Sequence, residues 1–503
     1  MKLRQICLLF LLFVIALPAS SSEILIENVT LISPERQEPL PNAYVLVKNG
    51  VIVEISPTKL SAIGDVVRID GSGRYLIPGL IDSHVHLAKV PSMTGRHKKQ
   101  HPELAAAYLK QQPRSYLYFG YTSLIDLNVF SPKKISDFNQ QPLHPDVYTC
   151  SQHLDIANGH GMFEEDPKTR LYDNPNFLYD HYQQQHLNGD FDLTKHTAKA
   201  TVKHIKDSGG ICIKTYYENG YGGSEFADYD IPTPEIIQDV AREARKLKIP
   251  TLLHANSWES QRFALIADVD IIAHGMFHWG EYRHATEVPP AIRVTLKTIA
   301  ERGIGYQPTL HVIDSQRSMF DPAYLRNPLL TKVIPKKLLD WYQSDDGHWF
   351  HKRIRQYFPR HLHTMNNEKM YQLFTKYYQH NVQVLKVLAD YDANLLFATD
   401  TIIGQSYANA PGLSGYIDMK AWYKAGVSLE KILQAATINN AKAFNLAHVV
   451  GSIEIGKKAN LLLLSQNPLQ TVEAYNSIET VFINGQPIAR QALVAEKART
   501  GTP

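Results

Sequence analysis

Cysteine is scarce in this chain, which has three in 503 residues. That number excludes a small fold held together by disulfides. Cys7 lies in an apolar N-terminal run, whereas Cys150 and Cys212 fall in apolar, strand-like stretches in the middle of the chain. A disulfide needs a specific geometry that neighbouring parallel strands seldom offer. We therefore expect Cys150 and Cys212 to be buried thiols that stay reduced.

An excess of charge of either sign is also absent. The formal net charge is +3, and it becomes +1 when Lys2 and Arg4 are removed with the N-terminal segment. A chain so close to neutral offers no basic surface of the kind that binds nucleic acid. The expected partner is a small-molecule substrate, and the sequence leaves a homo-oligomer open.

The apolar run at the N-terminus is too short to cross a membrane comfortably. It covers the 12 residues from Ile6 to Leu17, whereas a transmembrane helix needs about 20. Lys2 and Arg4 precede the run, and small residues at 19–21 follow it. This order is typical of a cleaved signal peptide, here over residues 1–22. We therefore expect an exported protein, periplasmic or secreted, with no stable membrane anchor after signal cleavage.

Strand-like segments near both ends of the chain flank a long middle. Asn49-Gly50 and Asn484-Gly485 each separate two apolar runs, as a tight hairpin turn does. The pattern predicts a small β-sandwich domain formed by both chain ends. We place its first part at residues 23–78 and its second part, with a C-terminal tail, at 446–503.

In the middle of the chain, apolar strands alternate with amphipathic helices. The clearest helix start is Thr233-Pro234, where a capping residue precedes proline at the first helical position. We count eight strand–helix units over residues 79–445. Strands of this kind indicate a parallel sheet buried on both faces, and eight units indicate a closed (β/α)8 TIM barrel in an α/β fold.

Side chains that can bind metal recur near the ends of the apolar strands. The first strand runs into His84 and His86, which alternation puts on one face. In a barrel of this kind the chemistry lies at the carboxyl ends of the strands. Each residue singly could be a core histidine, a lysine that reaches solvent or a helix cap, but their joint placement predicts a metal site. Its candidate ligands are His84, His86, Lys214, His254, His274 and Asp400.

These residues stand in motifs that resemble the amidohydrolase superfamily of metal-dependent hydrolases, over nearly all of the chain after the predicted signal peptide. The motifs are Pro78–Leu87 (PGLIDSHVHL), Ile213-Lys214, His254-Ala255, His274-Gly275, Thr399-Asp400, Leu429–Asn445 and Gly451–Leu469. The loop Asn158-Gly159-His160-Gly161 is similar to a Gly-Gly-His-Gly loop of the imidazolonepropionase-like and Xaa-Pro dipeptidase-like branch. Asn158 stands in place of the first glycine.

The resemblance implies a centre of two divalent metal ions, with Zn²⁺ as the expected metal. The implied ligands are His84, His86 and Asp400 for the more buried ion and His254 and His274 for the more exposed one. Lys214 would bridge the two ions as a carboxylated lysine, because a free ammonium group cannot bind metal. A bridging hydroxide activated by the ions would be the nucleophile, and Asp400 would be the catalytic proton carrier.

The implied activity is hydrolysis of a C–N bond in an amide, peptide or cyclic amide. His160, Tyr216 and Tyr217 would orient the substrate. The same site leaves open a lactonase, an esterase, a deaminase or a non-hydrolytic lyase. A non-catalytic binding relative is expected to lose metal ligands, and this chain retains all six, so we expect an enzyme.

A lid-like insertion of about residues 314–364 precedes the strand that ends in Asp400. Its position predicts that it lies on the loop side of the barrel, over the pocket. It contains a basic and aromatic stretch, Trp341–His363. Either this stretch recognises a carboxylate-bearing substrate or it is a solvated helical hairpin, and the sequence leaves both open.

Overall fold

The computed structural model describes most of the chain after the predicted signal peptide. The described residues are 23–60, 66–87, 89–129, 131–162, 166, 168–187, 189–218, 230–358, 362–402 and 405–495. The predicted signal peptide, residues 1–22, lies outside them. Among the helices within these ranges, none combines the length and the apolar character that a membrane span requires.

The strands alternate with helices through the middle of the chain and occur without them near its two ends. The strands are β1 (Glu23–Leu31), β2 (Leu40–Lys48), β3 (Val51–Ser56), β4 (Val67–Asp70), β5 (Tyr75–Pro78), β6 (Leu80–Val85), β7 (Tyr121–Asp126), β8 (Asp146–Thr149), β9 (Ile213–Tyr216), β10 (Thr251–His254), β11 (Ile271–Ala273), β12 (Gly305–Gln307), β13 (Leu461–Leu464), β14 (Ile478–Ile483) and β15 (Gln486–Ala489).

Strands from both ends of the chain form one sheet. Within the described residues this sheet has eight strands, in the order β15-β14-β13-β5-β1-β2-β3, with β4 beside β1. Asn49 and Gly50 both have positive φ, as the predicted hairpin turn between β2 and β3 requires. A bridge between Val51 and Lys458 brings the β3 edge back to the chain before β13, so the sheet curves around its own apolar core. The residue boundaries proposed for this domain stay predictions.

The middle of the chain forms two parallel sheets, as its alternating pattern predicts. One contains β6, β7 and β8, and the other contains β9, β10, β11 and β12. Most residues in these strands are buried. Burial on both faces explains why apolar residues occur on both sides of these strands without strict alternation.

Backbone contacts link these two sheets at both edges. Ile211 N donates a hydrogen bond to Thr149 O at 2.8 Å, which joins the start of β9 to the end of β8. At the other edge, the segment 394–401 takes the place of an eighth strand and forms parallel bridges to β12 and to β6. The α/β fold class is therefore confirmed, and the carboxyl ends of these strands meet on one side of the molecule.

The helices follow the strands in the order that the sequence predicts. They are α1 (Gly95–Gln100), α2 (Pro102–Tyr118), α3 (Pro132–Asn139), α4 (Arg170–Asp173), α5 (Ala198–Asp207), α6 (Pro234–Lys246), α7 (Trp258–Ala267), α8 (Pro290–Glu301), α9 (Leu310–Ser318), α10 (Leu330–Val333), α11 (Lys336–Tyr342), α12 (Trp349–Arg353), α13 (Asn367–Asp390), α14 (Leu413–Lys424), α15 (Leu429–Gln434) and α16 (Asn440–Ala443).

Helix α6 illustrates how the sequence determines where a helix begins and which face it buries. Thr233 has the extended backbone of an N-cap, and Pro234 occupies the first turn, where its missing N–H is not needed. Ile237, Val240 and Ala244 recur every three to four residues and pack in the main core. The helix thereby covers the sheet that carries Lys214 and His254.

The structure contradicts the expectation that both central cysteines stay reduced. Cys150 and Cys212 form a disulfide, with their Cα atoms 4.5 Å apart. Cys150 directly follows β8, Cys212 directly precedes β9, and both side chains are buried in the interior. Alternation along β9 places Cys212 on the same inward face as Lys214. The inward side chains of Cys150 and Cys212 meet where β8 and β9 adjoin, at a spacing that permits a disulfide.

Candidate metal centre

Two histidines and an aspartate converge where β6 ends. His84 lies in β6, His86 follows it, and Asp400 lies in the neighbouring segment 394–401. His84 Nε2 is 3.2 Å from Asp400 Oδ1, and His86 Nε2 is 3.0 Å from the same oxygen. One ligand atom from each of the three residues lies within 4.8 Å of the others. Two imidazoles and a carboxylate at this spacing can hold a divalent ion.

The backbone and a buried carboxyl group fix Asp400 in this position. Asp400 N donates a hydrogen bond to His84 O at 2.8 Å. The φ of Asp400 is 55°, in the left-handed region that aspartate tolerates better than most residues. Asp82, two residues before His84, accepts hydrogen bonds from Thr399 N at 3.0 Å and Thr399 Oγ1 at 2.6 Å. The residue before Asp400 is therefore tied to the same strand that carries the two histidines.

Lys214 lies in β9 with only 1% of its surface exposed. Its Nζ has no hydrogen-bond partner among the described residues. Burial lowers the pKa of Lys214 to about 7, although the charge of Asp400 acts in the opposite sense. Much of this amine is therefore uncharged at neutral pH. An uncharged amine can react with carbon dioxide, whereas an ammonium group cannot.

His254 and His274 extend the cluster away from His84. His254 ends β10, and His274 follows β11. The ring centroid of His274 lies 4.9 Å from that of His84 and 4.4 Å from that of His254. Burial is the main reason why the pKa values of His84 and His274 lie well below their usual value. These two imidazoles are therefore neutral, which is the form that binds metal.

The carboxyl group of Asp400 is ionised, because its neighbours lower its pKa. Burial alone would raise the pKa of Asp400, but His84, His86 and Lys214 hold it below its usual range. The carboxylate is therefore ionised beside the neutral imidazoles of His84 and His274. A negative group among neutral nitrogen donors is a suitable environment for a cation.

A carboxylate that the sequence analysis did not single out lies beside His254. Glu218 Oε2 is 3.1 Å from His254 Nε2, and the side-chain amide of Asn256 donates to the same oxygen. Burial alone would raise the pKa of Glu218, but the hydrogen bond to His254 and the nearby histidines lower it to about 2. Ligand atoms of His160, Glu218 and His254 also lie within 4.8 Å of one another. Glu218 follows Lys214 by four residues, and this position just past a strand end was the signal that could have identified it.

Two further polar residues near the histidines were missed. His86 Nδ1 is 3.9 Å from Asp126 Oδ1, and His274 Nδ1 is 3.2 Å from Thr309 Oγ1. Asp126 is the last residue of β7, and Thr309 follows β12 by two residues. The same rule that identified the candidate ligands, a polar residue at the end of an apolar strand, would have found Asp126.

The predicted loop around His160 lies against the same cluster. The His160 ring is 5.0 Å from the His254 ring. Gly161 N donates a hydrogen bond to Asp155 Oδ2 at 2.5 Å, which ties the loop to the buried carboxyl group of Asp155. A Cβ at Gly159 would lie 2.2 Å from Asp155 Oδ1, so only glycine fits there. This packing explains the glycine beside His160 in the motif.

The two tyrosines that follow Lys214 point in different directions. The Tyr216 ring lies 5.5 Å from the His254 ring and 5.7 Å from the His160 ring, so Tyr216 belongs to the cluster. The Tyr217 ring packs on Phe263, and its hydroxyl donates to Glu259 in α7 at 2.9 Å. The structure therefore brings Tyr216 to the centre and directs Tyr217 towards the surrounding helices, as alternation along a strand requires.

The insertion at about 314–364 packs on the loops that follow β6 and Asp400. Trp349 Nε1 donates to Ser92 O at 2.8 Å, and Tyr407 hydroxyl lies 3.3 Å from His351 Nε2. Two of its arginines are engaged within or beside the insertion: Arg317 pairs with Asp314, and Arg355 donates to the Met365 carbonyl at 2.8 Å. These contacts favour a packing role for Arg317 and Arg355 over recognition of a carboxylate-bearing substrate.

Comparison with known proteins finds a family match over most of the chain. Residues 75–488 match the Amidohydrolase family. Imidazolonepropionase of Brevibacillus brevis is 36% identical over 75 residues, which are 14% of this chain and 18% of that protein. Dihydropyrimidinase 1 of Caenorhabditis briggsae is 42% identical over 67 residues, 13% of each protein. The chain thus spans less than a fifth of the length of these curated relatives.

A solved structure extends the likeness to the whole fold. A Xaa-Pro dipeptidase with methionine bound in its active site matches with a TM-score of 0.65 and 18% sequence identity. The match covers 93% of this chain and 100% of that chain. At this identity the likeness shows a shared fold.

Proposed function

Because the chain belongs to the amidohydrolase family, we propose that it is a metal-dependent hydrolase that cleaves the C–N bond of an amide, peptide or cyclic amide. The observation that carries the proposal is the convergence of His84, His86 and Asp400 near a buried Lys214 at the carboxyl ends of the strands. This is the side of such a fold where catalytic groups are assembled.

The residues of the centre fit two divalent ions. Neutral imidazoles and an ionised carboxylate suit Zn²⁺ and similar metals. His84, His86 and Asp400 would hold one ion, and His254 and His274 would hold the other. A carboxylated Lys214 between the ions would give a function to a buried amine that has no hydrogen-bond partner among the described residues.

Asp400 is the residue that we propose moves the proton. When bound, the ions would lower the pKa of a water molecule and polarise the scissile carbonyl. The carboxylate of Asp400 then takes a proton from the attacking water and passes it to the nitrogen of the leaving group. Its ionised state at neutral pH suits the first of these steps, and the hydrogen bond from Asp400 N to His84 O holds the residue in place.

His160 and Tyr216 are placed to orient the substrate. Both rings lie within 6 Å of the His254 ring, so a carbonyl group bound at the outer end of the cluster would meet them. Similar proteins are named imidazolonepropionase, dihydropyrimidinase and Xaa-Pro dipeptidase. These names support cyclic amides and dipeptides as the first substrates to test.

We also propose that the protein acts outside the cytoplasm. The Cys150–Cys212 disulfide supports this location, because disulfides form and persist mainly in oxidising compartments. The short N-terminal apolar run and the basic residues Lys2 and Arg4 before it favour the same location.

A hydrolysis screen tests the proposed activity. The zinc-loaded protein is incubated with dipeptides, N-acyl amino acids, cyclic amides and lactones, and Asp400→Asn serves as the matched control. We expect turnover of a substrate with a C–N bond that the variant loses. Turnover of lactones alone would indicate the esterase alternative, and release of ammonia from an intact ring would indicate a deaminase.

A further inference from the structure

We propose that Glu218 is a positioning residue for the metal ligand His254. By accepting the Nε2–H of His254, Glu218 leaves Nδ1 as the nitrogen that binds the more exposed ion. This inference rests on the proposed function, because it assigns a partner to one ligand of the proposed metal centre.

The strand pairing brings Glu218 to this place. β9 and β10 run parallel, and Tyr216 lies opposite His254 in their register. Glu218 follows Tyr216 by two residues, with 7% of its surface exposed. Its Oε2 lies 3.1 Å from His254 Nε2, and the side-chain amide of Asn256 donates to the same oxygen. The contact is therefore formed by buried or nearly buried groups and not by mobile surface side chains.

The chemistry of the contact fixes the tautomer of His254. A carboxylate can only accept hydrogen bonds, and a neutral imidazole carries one N–H and one lone pair. The nitrogen that faces Glu218 must therefore carry the hydrogen. The lone pair that can bind a metal ion is then on Nδ1.

His86 is oriented in a comparable way. Its Nδ1 faces Asp126 Oδ1 at 3.9 Å, which is beyond hydrogen-bond distance. The remaining nitrogen of His86, Nε2, is the one that lies 3.0 Å from Asp400. A carboxylate on the outer side of a ring whose other nitrogen faces the centre is usual for histidines that bind metal. Glu218 has the corresponding position at His254, where Nε2 faces the carboxylate and Nδ1 is left for the metal ion.

Direct metal binding by Glu218 is the competing possibility, because its ligand atom also lies within 4.8 Å of those of His160 and His254. The hydrogen bonds of Oε2 disfavour direct metal binding through that oxygen. This oxygen accepts from both His254 Nε2 and the Asn256 amide, so a metal ion bound by Oε2 would displace one of these hydrogen bonds. The geometry thus favours a carboxylate that orients a ligand.

The test is a Co²⁺ titration of the chelator-treated full chain, followed by visible absorption and by metal analysis. The variants are Glu218→Gln and Glu218→Ala. Glu259→Gln is the matched control, because Glu259 is a carboxylate nearby that accepts a hydrogen bond from Tyr217. Melting temperatures measured on the same samples identify a variant that does not fold.

We expect both Glu218 variants to bind the second Co²⁺ ion about 10- to 100-fold more weakly, with the first ion unaffected. At saturating Co²⁺ their spectra should match that of the wild type, because the ligand set is unchanged. An unaltered affinity for the second ion would overturn the inference. A changed spectrum at saturation would also overturn it, since Glu218 would then be a ligand itself. Wild-type protein that binds fewer than two ions would instead refute the proposed two-ion centre.

Discussion

Replacing Lys214 by methionine should stabilise the metal-free protein while it destroys the proposed centre. Lys214 is 1% exposed, and burial lowers its pKa from 10.5 to about 7. Each tenfold change in proton affinity corresponds to about 1.4 kcal/mol, so the shift corresponds to at most roughly 5 kcal/mol of folding free energy. Methionine has a similar length and no charge, so it removes this penalty. With an entropy of unfolding of about 1 kcal/mol/K for a chain of this size, the Tm should rise by up to roughly 5 °C.

The gain in stability of the Lys214→Met variant should depend on pH, because Lys214 titrates at a different pH in the folded protein and in the unfolded chain. The pKa of Lys214 is lower in the folded protein than in the unfolded chain. The unfolded chain therefore binds more protons between pH values of about 7 and 10.5, and wild-type stability rises with pH in this window. The methionine variant lacks this contribution. Its advantage in stability over the wild type should be largest at or below about pH 7. It should shrink as the pH approaches the pKa of lysine in the unfolded chain.

Calorimetry of chelator-treated protein in buffers free of carbon dioxide measures this effect. Lys203→Met is the matched control, because Lys203 is an exposed residue of α5 that pairs with Asp207, and we expect its Tm to stay close to that of the wild type. A Lys214→Met variant that melts below the wild type at neutral pH, by a margin that does not change with pH, would refute the reasoning.

Two further predictions concern Asp400 and the disulfide. Asp400→Asn should retain the left-handed backbone and the Tm but lower turnover of the screened substrate at least ~100-fold, because an amide cannot carry the proton; wild-type turnover would exclude the proposed role. Cys150→Ala should lower the free energy of unfolding by about 4 kcal/mol, because the bridge closes a loop across a sequence separation of 62. Calorimetry measures this loss, and free thiols at both Cys150 and Cys212 in unreduced, denatured wild-type protein would contradict the cross-link.

The fold was predictable because its signals are local and repeated. Apolar strands that alternate with helices indicated the α/β class, and Asn49-Gly50 marked a turn that the structure contains. The candidate ligands were predictable for a related reason. His84, Lys214 and His254 are ionisable residues at or near the ends of largely apolar runs, the position where catalytic groups of this fold are expected.

Other features depend on contacts between strands, which one sequence does not reveal. The disulfide requires Cys150 and Cys212 to meet across β8 and β9, and the alternation within each strand says nothing of their relative register. Glu218 was missed because its role depends on the imidazole of His254 in the next strand. Tyr216 and Tyr217 could have been separated by alternation alone, since only every second residue of β9 faces the centre.

The metal content of the purified chain tests the central claim most directly. After chelation and titration with Zn²⁺, we expect two tightly bound ions per chain in the wild type. A His254→Ala/His274→Ala double variant should bind one, because His84, His86 and Asp400 still converge without the outer pair. A wild-type chain that binds no zinc, or a double variant that still binds two ions, would contradict the proposed centre.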